Sequence, residues 1–579
     1  MVADPMPTGL QRTLYASFGT PAEVDRLFQQ VPPAAMDRLI LAPTDWAAGA
    51  RPEFWRGQVP GTVARWASYP FGAAAVPELA ARRDPDQVAT QLAVTDRVYD
   101  ACLARRTGFF FTLVVPKFPF NDPAAVRVAL PGLFGSDGRI DLTAAQVRST
   151  LDRILDAVLD DVRERYPGLA GFMISAAEGA GATVHEFRRE DFEELGSWLD
   201  PLLTHVAEYG ERHGLRMIIL AHHYTQTRAT RDHLHRLLGR HPGLEVLEDL
   251  TWPEEHLGLP WFGYLGDVGP TALATTNRLH VKFLLDTEYM GQGRIPSVLP
   301  NWIADGIRAV AATPAAGILG RVNYWDGRAT FDGWNALNVE LFCALGQDPG
   351  ADPEQLLQAA VVRRFGDRAA GLADLLLDGE ELLGAGQAIN GIAFTDHSAF
   401  PPPEHLHHSF FRTPLHMKAT DDLFATPGTA LYGPATGSIT ATTEWRQQLR
   451  TVTRSPADYD ADLDLAGQAV ARLALRAADL TDHLAPRDRD FVQRSYAMWR
   501  DRTTAHRVYA AAAADHTSWF GGDRQRAGSL RRHAVALEQL AEDFERRNGC
   551  HALFEFVDRL RSMADYLRHP GYPAHPSAL

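Results

Sequence analysis

The chain has few cysteines, a deficit of positive charge and no long apolar run. Its three cysteines, Cys102, Cys343 and Cys550, lie far apart and are odd in number, which favours reduced thiols in the cytosol over a disulfide framework. A net charge of -15 leaves no basic stripe for nucleic acid or an anionic membrane surface. No stretch approaches the roughly 20 apolar residues of a membrane span, and the first residues lack the pattern of a secretory signal.

A glycine-rich phosphate loop is also missing after the first predicted strands, which disfavours a doubly wound nucleotide-binding sheet. Short apolar runs instead alternate with amphipathic helical patterns, as in βαβ units. This alternation predicts an α/β fold, a (β/α)8 TIM barrel. Nine runs compete for eight strand places, so one of the two runs 14–18 and 64–69 is expected to lie outside the barrel. The nine runs are Leu14–Phe18, Leu39–Ala42, Ala64–Tyr69, Phe109–Val115, Gly171–Ala176, Met217–His222, Leu244–Leu250, His280–Glu288 and Gly317–Tyr324.

The second half of the chain has a different pattern, which predicts a separate all-α domain. We expect the catalytic barrel over residues 1–340 and the helical C-terminal domain over 341–579, with a long irregular, His- and Pro-rich loop near 394–438. The amphipathic helices of this domain predict a homodimer. Its long helical patterns cover Asp462–His483, Asp488–Ala514, Arg524–Asn548 and His551–Leu567.

Carboxylates follow three predicted barrel strands. GFMISAAEGAG places Glu178 just after one strand, and LEVLEDLTWPEEH places Glu254 and Glu255 after another. In HVKFLLDTEYMGQG, the predicted strand ends in Asp286 and Glu288. Asp286 and Glu288 are two residues apart, so on a strand they point to the same side. Because the active site of such a barrel lies at the carboxyl ends of its strands, these acids are expected to face one mouth.

Aromatic and polar residues accompany these carboxylates and make sugar chemistry the favoured interpretation. One acid protonates the leaving oxygen, and another carboxylate activates water or attacks carbon. A single acidic residue after a strand is more often a helix cap or a solvated loop residue. Exposed tryptophans can also be core residues under a loop, and Asn335 and Asn338 could simply cap the following helix. The predicted substrate-binding residues are Glu254, Asp286, His222, His223, Trp252, Tyr289, Trp302, Asn323, Trp325 and Asn335.

No cofactor and no metal are predicted. The histidine-rich segment around residues 405–408 resembles a metal cluster only superficially, since it has no paired acidic ligand.

At GFMISAAEGAG, TWPEEH and DTEYMGQG, the sequence resembles the α-glucuronidases of glycoside hydrolase family 67, recognisably over residues 171–366. The resemblance implies Glu178 as general acid. It also implies Glu255 from the sixth strand and Glu288 from the seventh as the pair that holds water for an inverting attack. Whether Glu254 or Glu255 is the catalytic one stays open.

Three departures separate the chain from that family. The family's β-sandwich domain ahead of the barrel has no counterpart, and the family's sixth-strand aspartate is a glutamate here. The family binds the sugar carboxylate with an arginine after the fifth strand and a lysine at the end of the sixth, where this chain has His222 and Leu250. The resemblance therefore implies a glycosidase whose sugar is neutral or differs from glucuronate.

Two other classes of function remain open from the sequence. A non-catalytic carbohydrate-binding barrel would keep the aromatics without the facing carboxylates. A sugar isomerase or lyase would need a metal or a lysine base in the barrel mouth, and the sequence patterns indicate no such group.

Overall fold

The structure is a computed structural model, and it describes most of the barrel and most of the C-terminal helices. The described residues are 9–42, 70–81, 83–115, 127–136, 139–176, 196–222, 235–249, 276–287, 290–291, 293–322, 333–389, 392–393, 400, 456–520, 522–548 and 556–569.

Eight parallel strands form a closed barrel in sequence order, which confirms the predicted fold. The barrel closes where β8 pairs with β1, with Gln11 opposite Gly317 and Ala16 opposite Val322. The first apolar run therefore belongs to the barrel. The competing run 64–69 lies outside the described residues, and all eight places are filled without it. The strands are Gln11–Ala16 (β1), Arg38–Leu41 (β2), Gly108–Val115 (β3), Leu169–Ala176 (β4), Arg216–His222 (β5), Glu245–Asp249 (β6), Arg278–Leu284 (β7) and Gly317–Val322 (β8).

Helices cover the outer face of the barrel. Apolar residues at alternate strand positions pack against these helices, whereas the residues between them face the barrel axis. In β7, Val281 and Phe283 belong to the outer core, so His280 and Lys282 point inward. The helices of this region are Pro21–Gln30 (α1), Pro77–Ala80 (α2), Pro85–Arg105 (α3), Ala145–Arg165 (α4), Gly196–His213 (α5), Pro300–Ala311 (α6) and Asn335–Gln347 (α7).

The remaining helices follow α7, which itself packs on β1 and β8 and contains residue 340. They agree with the predicted helical C-terminal region, whereas the boundary at 340 stays a prediction. Most of the segment 394–438 lies outside the described residues. These helices are Pro353–Phe365 (α8), Ala370–Gln387 (α9), Pro456–Leu480 (α10), Pro486–Phe520 (α11), Ala527–Asn548 (α12) and Phe556–Arg568 (α13), with a short hairpin of Ala388–Ile389 (β9) and Ile392–Ala393 (β10).

The barrel interior is apolar in its middle layer. A packed layer of this kind separates the polar groups at the two ends of the barrel. Its buried side chains are Tyr15, Ile40, Ala42, Phe110, Met173, Ile218, Leu220, Leu247 and Leu319.

A buried ionic cluster lies below this layer, at the amino-terminal end of the barrel. Arg38 donates to Glu245 with Nη2 3.1 Å from Oε1, and His280 Nε2 lies 2.9 Å from Oε2 of the same carboxylate. Burial opposes ionisation of Glu245, but the hydrogen bonds with His280 and Arg38 hold its pKa well below the usual range. Burial also lowers the pKa of His280. The cluster therefore favours a charged Glu245 and a neutral His280.

Among the residues that the structure describes, no helix combines the length and the apolar character needed to cross a membrane. Cys102 and Cys343 are free and buried, and burial raises the pKa of both thiols. Both are thus poor nucleophiles at neutral pH.

The buried cluster predicts acid sensitivity. The folded protein binds a proton at His280 less readily than the unfolded chain, whose histidine has a pKa of about 6.5. The free energy of unfolding is thus highest above pH 6.5 and falls below it, by at most about 1.4 kcal/mol per pH unit from this residue. Glu245 extends the loss below pH 4.5. Between pH 7.5 and pH 5.5, the free energy of unfolding measured in urea should fall by about 1 kcal/mol less in His280→Gln than in the wild type.

A matched control for this prediction is His569→Gln, because His569 is exposed. This variant should keep the pH dependence of the wild type. An unchanged pH dependence in His280→Gln would contradict the prediction.

Candidate active site

Parallel strands bring their carboxyl ends together at one mouth, and four of the predicted site residues fall in the described part of the chain. His222 ends β5, Asp286 follows β7, Trp302 lies in α6, and Asn335 begins α7. The other predicted residues lie outside the described residues, so their roles stay predictions. They are Glu178, Glu254, Glu255, Glu288, His223, Trp252, Tyr289, Asn323 and Trp325.

Asp286 forms a buried, bidentate ion pair with Arg321 of β8. Nε of Arg321 lies 3.1 Å from one carboxylate oxygen, and Nη2 lies 3.1 Å from the other. Both side chains are about 5% exposed. Arg321 is on the same side of β8 as Leu319, which belongs to the barrel interior. Asp286 therefore has a partner within the protein, and a charge-assisted pair of this geometry holds the end of β7 against β8.

Thr287 follows Asp286 and has a left-handed backbone, with φ of 50°. A β-branched residue rarely adopts this conformation, so other contacts must stabilise it. Its hydroxyl is bonded three times: it donates to Oδ1 of Asn335 at 3.1 Å, accepts from the Gly293 amide at 3.1 Å and lies 3.0 Å from the Ser297 hydroxyl. These bonds fix the direction in which the chain leaves β7 towards residue 288.

Two asparagines of α7 complete this network. The amide nitrogen of Asn335 donates to the Asp286 carbonyl at 2.9 Å, and that of Asn338 donates to the Ser297 carbonyl at 3.0 Å. Oδ1 of Asn338 accepts from the Leu299 amide at 2.9 Å. Both asparagines could have capped their own helix, but they are bonded instead to the segment after β7. The predicted site residue Asn335 is thus a buried support for this segment.

Gly293 is the residue that lets the segment pass close to α7. Its φ is +72°, and a Cβ there would lie 2.7 Å from the side chain of Asn335. Any other residue would therefore displace the asparagine that supports Asp286 and Thr287. This explains the second glycine of the MetGlyGlnGly sequence.

Trp302 has a different position from the other described site residues. Its ring packs edge-on against Phe283, with ring centroids 5.9 Å apart and an interplanar angle of 80°. Phe283 belongs to the core outside the barrel, so Trp302 lies behind β7 rather than above its axis. This placement gives Trp302 a packing contact behind β7, and its role in substrate binding stays a prediction.

Two inward cations on the mouth side of the buried cluster were missed by the sequence patterns. Lys282 is 3% exposed and faces the axis of the barrel between His280 and the mouth, and Arg321 faces the axis on the neighbouring strand. The signal was available, since a charged residue in an otherwise apolar strand that is covered on both faces must point inward or find a partner. Among the described residues, no group of three or more His, Cys, Asp or Glu could hold a metal ion.

The chain matches no protein-family model and no curated protein. Similar solved structures include several glycoside hydrolases. An O-GlcNAc hydrolase from Thermobaculum terrenum is 13% identical, with 96% of this chain and 93% of that chain covered and a TM-score of 0.41. A family GH115 4-O-methyl-α-glucuronidase is 11% identical, with coverages of 81% and 57% and a TM-score of 0.38.

A glucosidase from Croceicoccus marinus is also similar, at 11% identity, with 60% of this chain and 70% of that chain covered and a TM-score of 0.35. A tryptophan synthase from M. tuberculosis is similar too, at 12% identity, with coverages of 58% and 93% and a TM-score of 0.25. At such low values these likenesses say nothing about the substrate of this chain.

The ion pair at the mouth predicts a large loss of stability when it is broken. Asp286→Asn leaves the Arg321 guanidinium buried without its counter-charge, which typically costs about 3–5 kcal/mol. Urea unfolding at pH 7.5 should show this loss. Removing both charges, in Asp286→Asn with Arg321→Met, should recover part of it.

Arg363→Gln is the control for this prediction. It breaks an ion pair of similar length with Glu340, at 2.8 Å, but the Arg363 side chain is 63% exposed. Its cost should stay below about 1 kcal/mol. Equal losses in Asp286→Asn and Arg363→Gln would show that the buried pair has no special importance.

Proposed function

We propose that this protein is a glycoside hydrolase, exo-acting on an α-linked sugar with inversion of configuration. The observation that carries the proposal is the end of β7, where buried side chains on both flanks hold Asp286 and a strained Thr287 directly before Glu288. Strain of this kind is typical of functional sites. The resemblance of DTEYMGQG to the seventh-strand segment of family 67 α-glucuronidases also supports it.

In the proposed mechanism Glu178 donates a proton to the leaving oxygen, while Glu255 and Glu288 hold and activate water on the opposite face of the sugar. Inversion needs space for this water, so the acid and the base should lie about 6.5–9.5 Å apart, whereas a retaining pair would lie about 5–5.5 Å apart. Glu178 must be protonated before the reaction. Glu255 and Glu288 must be charged, or share one proton if they are very close.

Replacing Glu178 by Gln tests the role of the acid. Substrates with poor leaving groups need the proton, so their kcat/KM should fall about 10²–10⁴-fold, whereas activated aryl glycosides should be affected far less. Hydrolysis of a panel of α-linked aryl glycosides with different leaving groups gives this comparison.

Glu288→Gln is the matched variant, because loss of the base should slow all of these substrates equally. Proton NMR of the first-formed product should show inverted anomeric configuration. A Glu178→Gln variant with unchanged rates on all substrates, or a product with retained configuration, would exclude the mechanism.

The sugar itself is proposed to be neutral or to differ from glucuronate. A buried sugar carboxylate needs a cation with charge-assisted hydrogen bonds. The two positions that supply such cations in the resembled family are His222 and Leu250, and Arg321 is already bonded to Asp286.

We expect glucuronic acid to be released from an aldobiouronic substrate at pH 7 at least about tenfold more slowly than a neutral glycoside is hydrolysed, since losing one cationic partner of the sugar carboxylate costs a few kcal/mol. Efficient release of glucuronic acid would contradict this proposal.

The buried Lys282 also favours a second candidate, a sugar isomerase or lyase in which this lysine is the base. The two reactions have different products, since a lyase leaves an unsaturated sugar and an isomerase a rearranged one. The same NMR experiment therefore distinguishes them. A non-catalytic carbohydrate-binding barrel would bind the glycosides and convert none of them.

A cytosolic location and a homodimer through the helical region stay predictions.

A further inference from the structure

Trp334 connects the candidate active site with the C-terminal helices. Its side chain is fully buried, and its backbone N–H donates to the Gly293 carbonyl at 3.2 Å. The next residue, Asn335, holds the Asp286 carbonyl and the Thr287 hydroxyl. We call residues 285–299 the β7 loop. Trp334 is therefore hydrogen-bonded through its backbone to Gly293, in the part of this loop that precedes α6.

The indole of Trp334 packs among aromatic rings of α8 and α11. The centroids of Phe491, Phe365 and Tyr496 lie 4.9, 6.1 and 6.2 Å from it. Among the described residues the indole nitrogen has no hydrogen-bond partner. Since no described polar contact holds this side chain, its position depends on the shape of the pocket that α8 and α11 provide.

A second contact lies just after the β7 loop. Glu380 of α9 accepts hydrogen bonds from the backbone amides of Asn301 and Trp302, at 3.1 and 2.8 Å. These amides belong to the first turn of α6, which begins directly after the loop, and a carboxylate at a helix N-terminus is favourable. The C-terminal helices thus hold both Trp334, which is bonded to Gly293, and the helix that follows the loop.

We propose that the helices after α7 set the conformation of the described part of the β7 loop (285–287, 290–291 and 293–299) through Trp334 and Glu380, and that both are positioning residues for Thr287, which precedes the proposed base in the sequence. Thr287 keeps its left-handed backbone only while Asn335 and Gly293 stay in place, and both residues are tied to Trp334. The helical region is then part of the active site rather than an independent module. The effect of this coupling on catalysis rests on the proposed function, whereas the coupling between the helices and the loop does not.

Hydrogen exchange of the full-length protein, followed by mass spectrometry, tests the coupling. Trp334→Leu should raise exchange of the amides of Met290 and Gly293 at least about tenfold, because local opening governs exchange of such amides. Peptides from β1 to β4 should exchange as in the wild type. Glu380→Ala should act mainly on the amides that follow the loop, in the first turn of α6.

Trp334→Phe is the conservative variant. It keeps an aromatic ring in the pocket and loses the indole nitrogen, which has no described partner, together with two ring carbons, so it should restore most of the protection. Leu537→Ala is the control for a loss of packing, because Leu537 is fully buried in α12, which packs on α11 and α13. It should leave exchange of the loop unchanged.

Phe491→Leu replaces Trp334→Leu if the latter does not fold, because Phe491 is only partly buried and its ring packs on the indole. Loop exchange that is unchanged in Trp334→Leu or Phe491→Leu, or that rises equally in Leu537→Ala, would overturn the proposal.

Kinetics on a substrate that the wild type hydrolyses separates positioning from binding. Trp334→Leu should lower kcat about tenfold or more with KM changed less than about threefold, and Trp334→Phe should restore kcat. A chain that hydrolyses no glycoside would refute the proposed function, while the exchange experiment would still decide the coupling. Normal kcat in a Trp334→Leu protein with a mobile loop would refute the positioning role alone.

Discussion

The hydroxyl of Thr287 is the point on which the candidate site depends. A threonine in a left-handed conformation costs free energy of the order of 1–3 kcal/mol, and three hydrogen bonds at the hydroxyl repay it. Those bonds exist only because Gly293 lacks a Cβ and because Asn335 points back towards β7. Thr287, Gly293 and Asn335 hold one another in position, so the local conformation depends on all three residues together and not on the loop sequence alone.

Charge inside the barrel is balanced locally at both ends. Glu245 is paired with Arg38 at the amino-terminal end, and Asp286 is paired with Arg321 at the mouth. An apolar cluster lies between the two pairs, and Lys282 pairs in register with Leu319 of this cluster. Pairing within one layer is the arrangement that lets buried charges persist, since an unpaired ion at either end would be costly.

The pattern of apolar residues was sufficient to predict the barrel, because β-strand alternation and helical periodicity are local properties. It could not decide between the runs 14–18 and 64–69, since both are short apolar runs early in the chain. Closure of the barrel by pairing of β8 with β1 is a long-range contact, and only this contact places the first run.

The pairing of Asp286 with Arg321 likewise joins residues that are 35 positions apart. The roles of Asn335 and Trp302 were open for the same reason. Both residues have an ordinary local explanation, and only the packing of α6 and α7 on β7 decides which one applies.

The carboxylates of the proposed mechanism also bear on the substrate. If Glu178, Glu255 and Glu288 converge on the mouth as proposed, three acidic groups lie close together, and the inward Arg321 is already bonded to Asp286. A protonated Glu178 removes one negative charge, and a proton shared by the other two removes a second. An acidic sugar would bring a further negative charge to these groups, whereas a neutral sugar brings none. Repulsion between like charges in a mouth of low dielectric constant therefore favours a neutral substrate.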